Sequence, residues 1–348
     1  MAEARERIEG LDVLRGLASL AVCWFHLTRF RYNVPDGQGY AWLRATGDLG
    51  WLGVEVFFVI SGFVIPYSLY RARYRLRDCV AYLARRMVRL DPPYLAAMVL
   101  ILALAYVSSL KSGRPVQIEA EPVGWVRVLL HLGYLNAFAG YAWLNPSFWT
   151  LAIEMQYYLL MGLVFPLVVA GRRGVRLAAL GAMAASSVAS VPVLFPTAPP
   201  LARFIPSLLC LFLLGIVTFQ RHVGLIRTSE FVLLLILTGL TSVATLGLAP
   251  SLAGFAAVAV LLARPRRSIV SGFFARTSYP LYLLHWPVAH YTLSVVGMKY
   301  LKAESDVARI LVLLLTLGVC LTSAYVLYVL VERPAQQWSQ RCRYGAAS

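Results

Sequence analysis

Ten apolar runs of membrane length divide this chain, near 11–30, 49–70, 91–110, 148–170, 177–195, 203–220, 230–247, 249–263, 278–297 and 307–331. Such a run crosses a bilayer only as a helix, because its backbone N–H and C=O groups must pair within the segment. The runs predict an all-α integral membrane protein with about ten transmembrane helices. Composition agrees: 59% of the 348 residues are hydrophobic and 14% are charged, which no ordinary soluble domain matches. The first run is not a signal peptide. Asp12 and Arg15 interrupt its start, and no small-residue cleavage site follows.

Charge predicts orientation. A net charge of +16 invites a nucleic-acid reading, but its distribution is topological. About two thirds of the Lys and Arg fall in the N-terminal segment and in 71–89, 172–176, 221–227, 264–276 and 333–343, which share one side when the runs alternate. The positive-inside rule then puts both termini, and the tail 332–348, in the cytosol. We expect one membrane-embedded domain over 1–348, in a bacterial inner membrane, with lipids and no nucleic acid as partners. The outer segment 111–147 contains "VGWVRVLLHLGYL", an interfacial or re-entrant helix whose Trp125, Arg127 and His131 suit the headgroup zone. The five cysteines are scattered, with neither disulfide nor metal spacing. No internal repeat supports an inverted-repeat transporter.

Arg15 and His26 lie on the first run, eleven residues and roughly 16 Å apart on one helix face. Between them on that face are the small residues Ala18, Ser19 and Val22. Ionisable groups in a bilayer are costly and face a protein interior or a wet cavity. Glu55, near the outer end of the second run, falls at the depth of His26. A carboxylate there can fix the imidazole tautomer and strengthen its basicity; a plain interhelical ion pair is the alternative. Ser61 and Gly62 are small residues of the kind that let helices pack closely. Arg86 and Arg89 share a helix face at the basic end of the third run, with Pro92 and Pro93 as helix-start residues. Two guanidiniums on one face can clamp a phosphate, although orientation signalling alone also accounts for them. Glu154 is another carboxylate in the outer part of a run, flanked by Trp149, Tyr157 and Tyr158. Ser278, Tyr282 and His285 repeat at helical spacing, on a run that Pro280 and Pro287 are expected to bend. They can line a cavity or bond a neighbouring helix equally well. These groups suit a base that removes a proton from an alcohol, with an anion clamp for a phosphate-bearing donor.

The chain resembles the acyltransferase family 3 membrane proteins, which O-acylate sugars and other hydroxylated acceptors. The resemblance rests on "LDVLRGLASLAVCWFH", with its Arg-x10-His pair, and on "GVEVFFVISGF", "RRMVRLDPPY", "PSFWTLAIEMQYYL", "SYPLYLLHWP" and a closing "ERP", in that order over nearly the whole chain. It implies catalytic roles for His26 as base and for Glu55 and Glu154. Glu55 stands where many members carry Asp. It further implies that Arg15, Arg86, Arg89, Tyr282 and His285 bind the donor, an acyl-CoA and by expectation acetyl-CoA, without a metal; for Arg15 the alternative is a local ion pair with Asp12. The acceptor would be a glycan, glycoside or other hydroxylated molecule. The resemblance implies the short form of the family, expected to lack the extra C-terminal domain that many members carry. The rival reading is a transporter or flippase in which His26, Glu55 and Glu154 relay protons.

Overall fold

The computed structural model describes residues 9–29, 41–118, 121–191, 204–266, 268–294, 305–342 and 344. Arg5 and Arg7, both counted among the inner charges, and the last residues of the tail lie outside them. The described chain is helical almost throughout: α1 (Glu9–Arg29), a short α2 (Ala41–Ala45), α3 (Gly53–Arg71), α4 (Cys79–Ser112), α5 (Trp125–Leu132), α6 (Phe148–Val168), α7 (Arg173–Ala189), α8 (Leu209–His222), α9 (Thr228–Leu246), α10 (Leu248–Ala263), α11 (Ile269–Tyr291), α12 (Asp306–Leu327) and α13 (Arg333–Ser339). A two-residue ribbon, β1 (Gln117–Ile118) with β2 (Glu121–Pro122), interrupts the loop before α5.

Seven helical stretches of the described residues are long and apolar enough to cross a membrane: α1, α3, α4, α6, α8 together with the 3-10 turn Ile205–Leu208 that precedes it, α9 and α12. The other three predicted runs form α7, α10 and α11. The first two are short, at 17 and 16 residues, while α11 has 23 but mixes Ser, Thr, Tyr, His and Pro into its apolar sequence. The fold is that of an all-α membrane protein.

Helix α8 is the centre of the bundle, and every residue from Leu209 to Gln220 is buried. It crosses α3 so closely that a Cβ added at Gly62 would come 2.2 Å from the Phe212 carbonyl oxygen, and one at Gly215 2.2 Å from that of Val59. Small residues permit such a backbone approach, as the sequence indicated for Gly62. Helix α1 packs against α11 and α3, which brings the Arg15–His26 face to the interior.

Two expectations need correction, and the tail gains detail. Pro92 and Pro93 do not start a helix. They lie inside the 34-residue α4, which begins at Cys79 and ends at the left-handed Gly113. At about 1.5 Å per residue α4 is roughly 50 Å long, so it overruns the hydrocarbon layer and carries Arg85, Arg86 and Arg89 on the overhang. Arg127 and His131 do not face headgroups. They are 2% and 0% exposed, turned inward from α5, while Trp125 is exposed. The tail expected from Glu332 begins with ordered structure in its described part. A π turn over Tyr328–Glu332 buries Glu332, and α13 folds back against α4.

Candidate active site

The overhang of α4 builds the basic end of the site. Arg85, Arg86 and Arg89 meet Arg71 from the end of α3, with Tyr67, Ser68, Gln336, Gln340 and Tyr344, around a basin of ≈ 520 Å³. No acidic side chain lines it among the described residues. Arg86 is buried and fixed. Its Nη2 donates to Ser68 Oγ at 2.7 Å, and its guanidinium lies over the Tyr82 and Tyr158 rings. The Arg85 guanidinium sits 5.3 Å from the Tyr344 ring centre. Arg86 and Arg89 share a face, as their spacing predicts, and line both the basin and the passage above it.

That passage is narrow, about 90 Å³, and changes character along its length. Its polar part holds Arg15, Arg86, Arg89, Ser61, Glu154, Tyr158, Tyr279 and Glu332. Glu154 Oε1 accepts from the Tyr158 hydroxyl, one turn along α6, and from Ser61 Oγ of α3 at 3.2 Å. Its apolar part is walled by Val54, Phe57, Phe58, Ile60 and Leu151 and closed by Tyr282. The Tyr282 and Thr150 hydroxyls are 2.7 Å apart.

His26, Glu55 and His285 lie past Tyr282 and do not line the passage. The His285 ring centre is 5.8 Å from that of Tyr282 and 5.1 Å from that of His26. His26 is half-buried between His285 and Phe25. One turn further, Arg29 pairs with Asp48 at 2.6 Å. Glu55 is buried in the first turn of α3, where free amides favour a carboxylate, and its Oε2 has no hydrogen-bond partner. No hydrogen bond joins His26 to Glu55 among the described residues; the imidazole meets His285 instead. At the opposite end, Arg15 and Asp12 line one side cavity with Arg89, Arg276 and Glu332.

Sequence reasoning missed Ser61, Thr150, Tyr158, Tyr279 and Glu332 as site residues. Thr150, Glu154 and Tyr158 carried a signal, because steps of four put them on one face of α6. Glu332 carried one too, as a carboxylate ending a long apolar run. It lies within the electrostatic reach of Arg89 and Arg15. The five cysteines are free, and no group of three or more His, Cys, Asp or Glu could hold a metal among the described residues.

A family model described as an acyltransferase domain matches residues 8–329. The chain is 28% identical over 374 residues to the acyltransferase MdmB of Streptomyces mycarofaciens, covering 97% of this chain and 94% of that protein. It is 31% identical over 173 residues to the O-acetyltransferase OatA of Staphylococcus aureus (strain NCTC 8325 / PS 47), covering 47% of this chain. That match spans about a quarter (24%) of the length of OatA. No solved structure matches the chain. With a family model covering nearly all of it, laid over an all-α bundle of apolar helices, this chain belongs to acyltransferase family 3.

Proposed function

We propose that the protein is a membrane O-acyltransferase that moves an acetyl group from acetyl-CoA to a hydroxyl of a sugar or other hydroxylated acceptor. The observation that carries this reading is the passage that leads from the four-arginine basin, past Glu154 and Tyr158 and between apolar walls, to Tyr282, with the two imidazoles behind it. The basin suits the phosphates of the donor, because guanidiniums bind oxyanions bidentately. The passage suits the thin pantetheine arm, with the thioester toward Tyr282. His26 then takes the proton of the acceptor hydroxyl, and the alkoxide oxygen attacks the thioester carbonyl. The C–S bond breaks, and the departing thiolate recovers the proton from the imidazolium. A dry, enclosed passage strengthens each of these charge interactions. In this reading ten helices cross a bacterial inner membrane, the termini and the basin are cytosolic, and the acceptor approaches His26 from the other end.

The test is thiol release and acyl transfer from acetyl-CoA by the full chain in lipid nanodiscs, with mass spectrometry of the cell's glycans and metabolites to name the acceptor. His26→Ala should lower kcat by about 10²–10⁴-fold, the usual contribution of a general base. Arg86→Ala with Arg89→Ala should raise the KM for acetyl-CoA by at least about tenfold with a smaller change in kcat. A His26→Ala protein with undiminished transfer sinks the mechanism. Flux driven by a pH gradient without thiol release would point to a transporter.

A further inference from the structure

We propose that His285 is the positioning partner of His26, and that the imidazole pair rather than a His26–Glu55 couple sets the orientation of the base. The inference rests on the reading of His26 as base and goes beyond it in assigning His285, which the sequence grouped with the donor-binding residues.

The argument is one of hydrogen-bond inventory. His285 Nδ1 lies 3.1 Å from the Leu281 carbonyl oxygen, which can only accept, so Nδ1 carries the ring proton. In the neutral ring Nε2 is therefore a bare acceptor. It is buried and has no partner, on a side chain 1% exposed. Buried acceptors are rarely left unsatisfied, and an unsatisfied one needs an explanation. The explanation lies on α1: the His26 ring centre is 5.1 Å away, close enough for a turn of either ring to make an N–H···N bond of about 3 Å. If one His26 nitrogen donates to His285 Nε2, the other is left as a lone pair facing the acceptor hydroxyl. When His26 takes up the proton, the new charge is shared along the same bond.

The surroundings hold His285 still for this task. Asn145 Nδ2 donates at 2.9 Å to the Leu283 carbonyl, which Pro287 leaves without its helix donor. Cys320 of α12 reaches the His285 carbonyl at 3.7 Å. Glu55 has no such link to His26. Its carboxylate lies within electrostatic reach of Tyr282, and its Oε2 has no hydrogen-bond partner.

Two substitutions separate this role from packing and from donor binding. In His285→Gln the amide oxygen occupies the place of Nε2 and can still accept; in His285→Leu nothing can. Expected are a kcat within about fivefold of wild type for the Gln variant and a fall of about 10²-fold for the Leu variant, with the KM for acetyl-CoA unchanged in both. Equal kcat values for the two variants overturn the proposal, as does a rise in KM with kcat preserved. Should His26→Ala itself remain active, the base reading fails first. A structural readout needs no turnover: solid-state nitrogen NMR of the histidine-labelled full chain should show His285 Nε2 as a hydrogen-bonded acceptor and lose that signature in His26→Ala. The same Nε2 signal with and without His26 overturns the pairing.

Discussion

Thr150 has one proton to give and spends it on the Ser147 carbonyl at 2.9 Å, so the Tyr282 hydroxyl must be the donor in their shared bond. Tyr282 therefore closes the passage with its oxygen lone pairs still available. Below it the wall is apolar, and the Phe57 ring stands edge-on to Tyr282 with centres 5.8 Å apart. An acyl group held there has little room to grow. Phe57→Ala should raise turnover of butyryl-CoA relative to acetyl-CoA by about tenfold or more, since a pocket discriminates by roughly 10–200-fold per methylene. A competition assay with mixed thioesters measures that ratio directly. At this scale the sequence exposed the residues whose spacing fixes a shared helix face: Arg15 with His26, and Arg86 with Arg89. It could not expose Ser61 against Glu154, because those side chains come from two helices and meet only when the helices pack.

Prolines inside helices are a recurrent element here, and each frees a carbonyl that must be satisfied in a medium without water. Pro166 frees Gly162, and the Tyr74 hydroxyl takes its place; Pro287 frees Leu283, and Asn145 takes its place. The loop helix α5 obeys the same accounting. Arg127 donates to the carbonyls of Ala142 and Trp143 at 3.0 and 2.9 Å, and His131 joins α5 to the following loop. His131 Nδ1–H donates to the Arg127 carbonyl, and Nε2 accepts from the Leu144 amide at 3.0 Å. That wiring admits only the neutral ring, and burial lowers its pKa from 6.5 to about 4, with the nearby Arg127 charge adding to the effect. Below the ordinary value the unfolded chain binds a proton that the folded loop refuses. Stability from this residue is thus complete above pH 6.5 and is lost as pH falls toward 4, by up to about 3 kcal/mol. Melting of the full chain in nanodiscs at pH 7.5 and pH 5 should show the loss, and His131→Gln, which cannot titrate, should reduce it. Read as a sequence, an Arg and a His in a Trp-rich loop suggested a headgroup surface. The inward turn of both was hidden because nothing local signals which face of a short helix is covered.

For the whole molecule the dominant fact is polarity along the bundle: a four-arginine basin at one end, a narrow passage from it to Tyr282, and two imidazoles beyond Tyr282. The open basin is wet enough for salt to screen it, while the passage is not. The KM for acetyl-CoA should accordingly rise several-fold between about 50 and 300 mM salt, and Arg71→Ala with Arg85→Ala should flatten that slope while leaving kcat nearly unchanged. An unaltered slope would show that the basin does not hold the donor phosphates.

The sequence by itself determined that this is an all-helical membrane protein, which runs form its helices, and which family it belongs to. Those properties are local: hydropathy selects the span, backbone pairing demands the helix, and residue spacing sets the face. Only the tertiary structure decided that α8 is buried on every side, that Glu332 turns inward beside Arg15 and Arg89, and that His26 meets His285 rather than Glu55. Each of these depends on contacts between helices far apart in the chain. In an apolar solvent, hydropathy scarcely distinguishes a lipid-facing side from a protein-facing one, so close backbone approach and polar pairing choose the neighbours.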